Sequence, residues 1–227
     1  MSASEQKAKS GWLLSFGDVV TLLITFFIMM LATNKSDVTK LQKWTEMQLT
    51  QSYVQVQTEV EALGLTGFQV DKMPQGVRIR IQADNAFEPG SYTPTPELQR
   101  DLQAFAPIIQ NNRLFTLGAE EVAIATAQEH GYQWHAQLVV EGHTDNDPID
   151  PQSRLRNNWF LSAMRAQAVM EILRQSSTLE PEQFTISGFG QYHPIANNDS
   201  EAGKAQNRRI EILISASFEL VETLETP

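Results

Sequence analysis

The sequence predicts an α+β protein: a single N-terminal transmembrane helix, a linker, and a sheet-and-helix domain of order β-α-β-α-β-β. Three observations predict it. Gly11 to Thr33 reads GWLLSFGDVVTLLITFFIMMLAT, an apolar run with one ionisable residue, Asp18. Beyond Gly64, segments of period two alternate with segments of helical period, which favours helices packed on a sheet over a sandwich or barrel. A composition of 41% hydrophobic and 19% charged residues describes a chain able to build a core, which argues against disorder for most of it. A formal charge of -10 and a pI near 4.9 argue against nucleic acid as a partner, because phosphate affinity rests on Lys and Arg releasing counterions. Zero cysteines remove disulfides, thiol catalysis and thiolate metal sites together.

Roughly 20 apolar residues cross a bilayer as a helix, so residues 12–33 are the expected span. Lys7 and Lys9 precede it and, by the positive-inside tendency, hold residues 1–11 in the cytoplasm and send the remainder across; Trp12 suits the interface. A cleaved signal peptide is the competing reading, but the run is long and Met30-Leu31-Ala32 lacks the small-x-small pattern of a cleavage site. An aspartate inside a spanning helix costs about 3 kcal/mol on insertion scales, a cost that a function must offset. Helical spacing puts Ser15, Asp18, Thr21 and Thr25 in one polar stripe, the candidate ion pathway. The alternative is a structural hydrogen-bonding group between packed helices. One helix encloses no pathway, so partner helices are implied.

Residues 34–70 read as a juxtamembrane helix and linker. Val38, Leu41 and Trp44 at near-helical spacing suit a plug lying on the membrane or against a channel, and a plain spacer is the equal alternative. The domain is expected over 71–218, with 219–227 as a tail. Val77, Ile79 and Ile81 alternate with Arg78, Arg80 and Gln82 in a half-buried strand. Pro96 opens a helix with apolar face Leu98, Leu102, Phe105 and Ile109. Strands follow at Gln137 to Val140, Phe184 to Ile186 and Arg209 to Ile214, with a helix from Trp159 to Arg174.

Catalytic readings are weak. His143, Asp145 and Ser162 suggest a triad, but triads are defined by geometry, and no Gly-x-Ser-x-Gly elbow is present. His130 and His135 have no metal-ligand spacing around them, so no metal site is expected.

Val140-Glu141-Gly142-His143-Thr144-Asp145-Asn146, then Asn158-Trp159-x-Leu161-Ser162-x-x-Arg165-Ala166, Gly188-Phe189-Gly190 with Pro194, and Asn207-Arg208-Arg209-Ile210-Glu211-Ile212 follow in order. In kind and order they resemble the OmpA-like peptidoglycan-binding domain, over roughly Val77 to Ser215. Trp12 to Phe27, with its aspartate near the start and paired phenylalanines after it, resembles the span of MotB and its sodium-driven relatives. The resemblance implies a non-enzymatic stator subunit, flagellar in the first instance. It would work with a MotA-like multi-span partner and a second copy of itself, carry H+ or Na+ on Asp18 without a cofactor, and be fixed to peptidoglycan. A non-conducting wall tether and a motor of another machine are the alternatives.

Peptidoglycan stems offer a diamino acid with both an ammonium and a carboxylate. Asp145 suits the ammonium and Arg165 the carboxylate, whose geometry a guanidinium fork matches. Thr144, Asn158 and Leu161 would complete the pocket. Arg208 and Arg209 are read equally as ligand-side and as structural charges, and direct pairing of Asp145 with Arg165 is the bland alternative. The stretch from Asn111 to His135 is longer than the resemblance allows, and Ala119 to Gln128 within it has the pattern of an extra helix ended by Gly131.

Overall fold

In the computed structural model of the chain, residues 3–88 and 91–221 are described, the side chains of 3–11 and 32–38 excepted. The backbone separates into two compact units, Met1–Trp44 and Thr45–Pro227.

Helix α1 (Ala3–Ala62) begins in the first unit and ends in the second. Its segment Trp12–Leu31 has a mean hydropathy of 2.1, long and apolar enough to cross a membrane. The threonines of the expected stripe turn inward on their own helix: Thr21 Oγ1 donates to Gly17 O at 2.6 Å and Thr25 Oγ1 to Thr21 O at 2.7 Å. Leu41 and Trp44 are half-buried, and the side chain of Val38 lies outside the described ones.

The second unit starts earlier than the expected boundary at residue 71. Leu49, Val56 and Val60 of α1 belong to its buried core, with Tyr53 packed beside them. These positions share one face of a helix, so apolar spacing that reads as linker is a docking face. The helix stops in a Schellman motif: Leu65 N donates to Val60 O and Gly64 N to Glu61 O, with Gly64 at φ 66°. Val60 and Leu65 supply the buried apolar pair that accompanies this motif.

Strands β1 (Phe68–Met73), β2 (Gly76–Gln82), β3 (Tyr132–His143), β4 (Phe184–Gly190) and β5 (Arg209–Leu220) form one sheet in the order β1-β2-β5-β3-β4. Only β3 and β4 pair in parallel. The expected order lacked β1, an edge strand with a weakly alternating sequence that pairs with β2 across a short turn. It also lacked the short helix α6 (Glu201–Asn207), which Ser200 caps by accepting from Gly203 N. Both β3 and β5 run longer than expected, paired from Tyr132↔Leu220 to His143↔Arg209.

Register sorts the sheet into two faces. Val77, Ile79 and Ile81 lie opposite Ile214, Ile212 and Ile210, which lie opposite Leu138, Val140 and Gly142. This apolar face packs under α5 (Asn158–Gln175) and α2 (Pro96–Gln110). Gly142 is required there, since a Cβ would sit 2.0 Å from Ser162 O of α5. The other face sets Glu141 directly opposite Glu211. That repulsion is offset by arginines: Arg209 Nε donates to Glu211 Oε1 at 2.7 Å, and Arg80 and Arg78 approach at 3.3 and 3.6 Å.

The long stretch 111–135 folds into α3 (Arg113–Thr116) and α4 (Val122–Glu129), the latter the helix expected within Ala119 to Gln128. Its start receives α1. Asn112 is fully buried, and its Oδ1 accepts from Ser52 Oγ and from Leu114 N, both at 3.0 Å. Gln55 Nε2 donates to Asn111 O at 3.2 Å, and Arg113 Nε donates to Gln48 Oε1 at 2.5 Å.

Candidate functional site

Four charged groups converge where β2 and β3 end and β5 begins, beside α5. Asp145 lies two residues past β3 and is 6% exposed. Its Oδ1 accepts from Asp147 N at 3.1 Å, and its Oδ2 accepts from Arg208 Nη1 at 2.5 Å. Arg208 stands between α6 and β5. The rest of its guanidinium forks onto Asp84, just past β2, through Nε and through Nη2 at 2.8 Å. The hydrogen bonds Arg208 donates to Asp84, ahead of that to Asp145, raise its pKa.

Arg165 projects from α5 and is 8% exposed. Its Nε donates to Ser91 O at 3.1 Å, and its guanidinium lies 4.9 Å over the Phe87 ring. Burial pulls its pKa down, opposed by the charges of Asp84 and Asp145. Among the described residues neither Nη nitrogen of Arg165 has a hydrogen-bond acceptor. A largely desolvated fork with two unspent Nη nitrogens is suited to a carboxylate from outside. Two aspartates and two arginines sum to no net charge, so a ligand carrying both an ammonium and a carboxylate fits without leaving an excess of either sign.

The remaining expected residues divide. Thr144 is buried and donates to Asp145 O at 2.9 Å, while its N–H bonds Gly190 O, so it shapes the loop. Asn158 opens α5, capped by Asn157, whose Oδ1 accepts from Phe160 N at 2.8 Å. Asn158 Nδ2 donates to Asp147 O at 2.9 Å and Gln191 Oε1 at 3.0 Å, tying the Asp145 loop to the loop after β4. Leu161 is buried on α5. Arg209 lies apart from the four-charge cluster, buried on the opposite sheet face, with donors committed to Glu211, Asn207 O and His193 O. Asp145 pairs with Arg208 rather than with Arg165. Asp84 was missed by sequence reading; its only signal is its place at the end of the first alternating strand.

No triad forms among His143, Asp145 and Ser162. Ser162 Oγ donates to Trp159 O and accepts from Gly190 N, both at 2.9 Å, and the His143 ring, 2% exposed, stacks on Phe189. Glu141, His143 and Glu211 bring potential ligand atoms within 4.8 Å of one another. The arginines gathered on Glu211 cancel the negative charge a dication would need, so this trio fits a metal poorly. In the first unit Asp18 is exposed on α1, and among the described residues it makes no hydrogen bond or ion pair.

Two family models match. That of the OmpA family covers residues 86–208, more than half of the sequence, and the chain belongs to that family. A model described as membrane MotB of the proton-channel complex MotA/MotB matches residues 2–47. At 24% identity, over 92% of both chains, the protein is similar to motility protein B of Bacillus subtilis (strain 168). Its fold is that of a MotB-like protein from Desulfovibrio vulgaris, with a TM-score of 0.64, 21% identity, and coverage of 78% of this chain and 99% of the other. The periplasmic domain of Helicobacter pylori MotB is similar at 26% identity and a TM-score of 0.52, over 66% of this chain and 80% of that one. The match at both ends gives the MotB type: a stator-like, single-pass membrane subunit anchored to peptidoglycan, structural and not an enzyme.

Proposed function

We propose that the chain is the ion-carrying subunit of a flagellar stator. Its N-terminus is cytoplasmic and its OmpA-family domain periplasmic. Asp18 alternately binds and releases H+ or Na+ within a pathway built with a MotA-like multi-span partner and a second copy of the chain. Asp145, Arg165 and Arg208 grip the diamino acid of a wall stem peptide. The observation that carries this reading is the lone carboxylate: an apolar span of 20 residues, Trp12–Leu31, keeps one ionisable group, and that group has no partner among the described residues. A tether has no use for such a cost, whereas a carrier of successive ions does. Each charge moved down the potential releases about 2.3 kcal/mol per 100 mV, so work on a rotor draws on many ions in turn.

The test is Asp18→Asn in cells supplying the partner, with motility and ion conductance measured in sodium and in sodium-free medium. Loss of both readouts at unchanged membrane levels is expected, and the sodium dependence of the wild type names the ion. Motility and conductance equal to wild type would leave a passive wall tether.

A further inference from the structure

Trp159 and Tyr192, 58% and 64% exposed, flank Asn158 and Gln191, whose side chains are bonded to each other beside the Asp145 loop. Single exposed apolar side chains are ordinary, but these two form a unit, with ring centroids 5.3 Å apart and planes tilted by 49°. Their backbones are fixed. Ser162 Oγ bridges Trp159 O to Gly190 N, and Asn158, the neighbour of Trp159, bonds Gln191, the neighbour of Tyr192. Asn158 also holds the loop of Asp145 through Asp147 O. The aromatic pair and the acid–base cluster are therefore braced by the same side chain. Along α5, Trp159 lies six residues before Arg165, about 9 Å at the helical rise and about a third of a turn round the axis.

We infer that this pair is a platform for a sugar ring of the glycan strand, adjoining the stem-peptide site and deepening the wall-binding reading on which it rests. A pyranose presents axial C–H bonds on one face, and electron-rich aromatic faces accept such contacts without being buried by protein. Wall stem peptides are attached to sugars, so a ligand seated on Arg165 has a saccharide within reach of the rim. The rings supply flat apolar area at low entropic cost, since each has only two side-chain torsions to fix.

The experiment titrates detergent-solubilised full-length protein with two probes: a soluble disaccharide-peptide fragment of peptidoglycan, and the same stem peptide without sugar. In Trp159→Ala and Tyr192→Ala, affinity for the sugar-bearing fragment should fall roughly tenfold each, with affinity for the bare peptide unchanged. Equal loss for both probes, or no loss for either, overturns the platform. A shift in oligomeric state on substitution, with both affinities kept, makes the pair a contact between copies and overturns it too. If wild type binds neither probe, the wall-binding reading itself fails, an outcome distinct from the others.

Discussion

Asp18 and Asp145 are the same residue in opposite settings. Asp18 lies on an apolar helix with no bond of its own among the described residues, while Asp145 is buried with both oxygens engaged, by Asp147 N and by Arg208. Around the site and on the polar sheet face commitment is the rule: Arg208 to two aspartates, Arg209 to Glu211 and two carbonyls, Glu211 to Arg209 and Arg80. Arg165 breaks the pattern with its two Nη nitrogens. The committed charges hold the site together, and the open Nη nitrogens of Arg165 are the part of it left for a partner.

Removing a committed charge should therefore cost stability. Arg208→Ala leaves Asp145 buried without its counter-ion, and thermal unfolding should show a loss of about 2–4 kcal/mol. An uncommitted charge should behave oppositely. Arg165→Ala should reduce co-sedimentation with purified peptidoglycan at least roughly tenfold, with Arg165→Lys failing to restore it because a point charge lacks the fork. A melting temperature that falls as far as in Arg208→Ala would erase the distinction.

A smaller effect is expected where the polar seam receives α1. Asn112→Ala removes the cap of α3 and the acceptor for Ser52, and should cost about 1–2 kcal/mol while exposing residues 45–62 to limited proteolysis.

The least effect is that of pH on Glu211. Burial pushes its pKa up, but the Arg209 hydrogen bond and the charges of Arg209 and Arg78 outweigh this, and the carboxyl sits below its ordinary 4.5. A depressed carboxylate contributes stability that is present above the unfolded-state value and is lost as pH falls toward the folded one. Stability, measured by unfolding from about pH 6 downward, should fall below about pH 4.5 in wild type and less steeply in Glu211→Gln.

The sheet's apolar face was legible because Val77, Ile79 and Ile81 alternate cleanly, and α2 because Pro96 and a spaced apolar face mark its start. Asp145 and Arg165 were singled out through their motifs, and the structure brings both to one cluster. What escaped depends on contacts distant in sequence. β1 gains its strand character by pairing with β2, and residues 45–62 are a docking helix only because α3 receives them. Asp84 joins Asp145 through an arginine 124 residues away, which no local pattern encodes.

That arginine has a consequence for how the protein is made. Arg208 joins two loops that precede it by 124 and 63 residues, and it stands immediately before β5. Synthesis runs from the N-terminus, so the apolar segment Trp12–Leu31 emerges long before Arg208 can join Asp84 to Asp145. Until then the two aspartates wait as unpaired like charges, and the cluster closes only when β5 is in place.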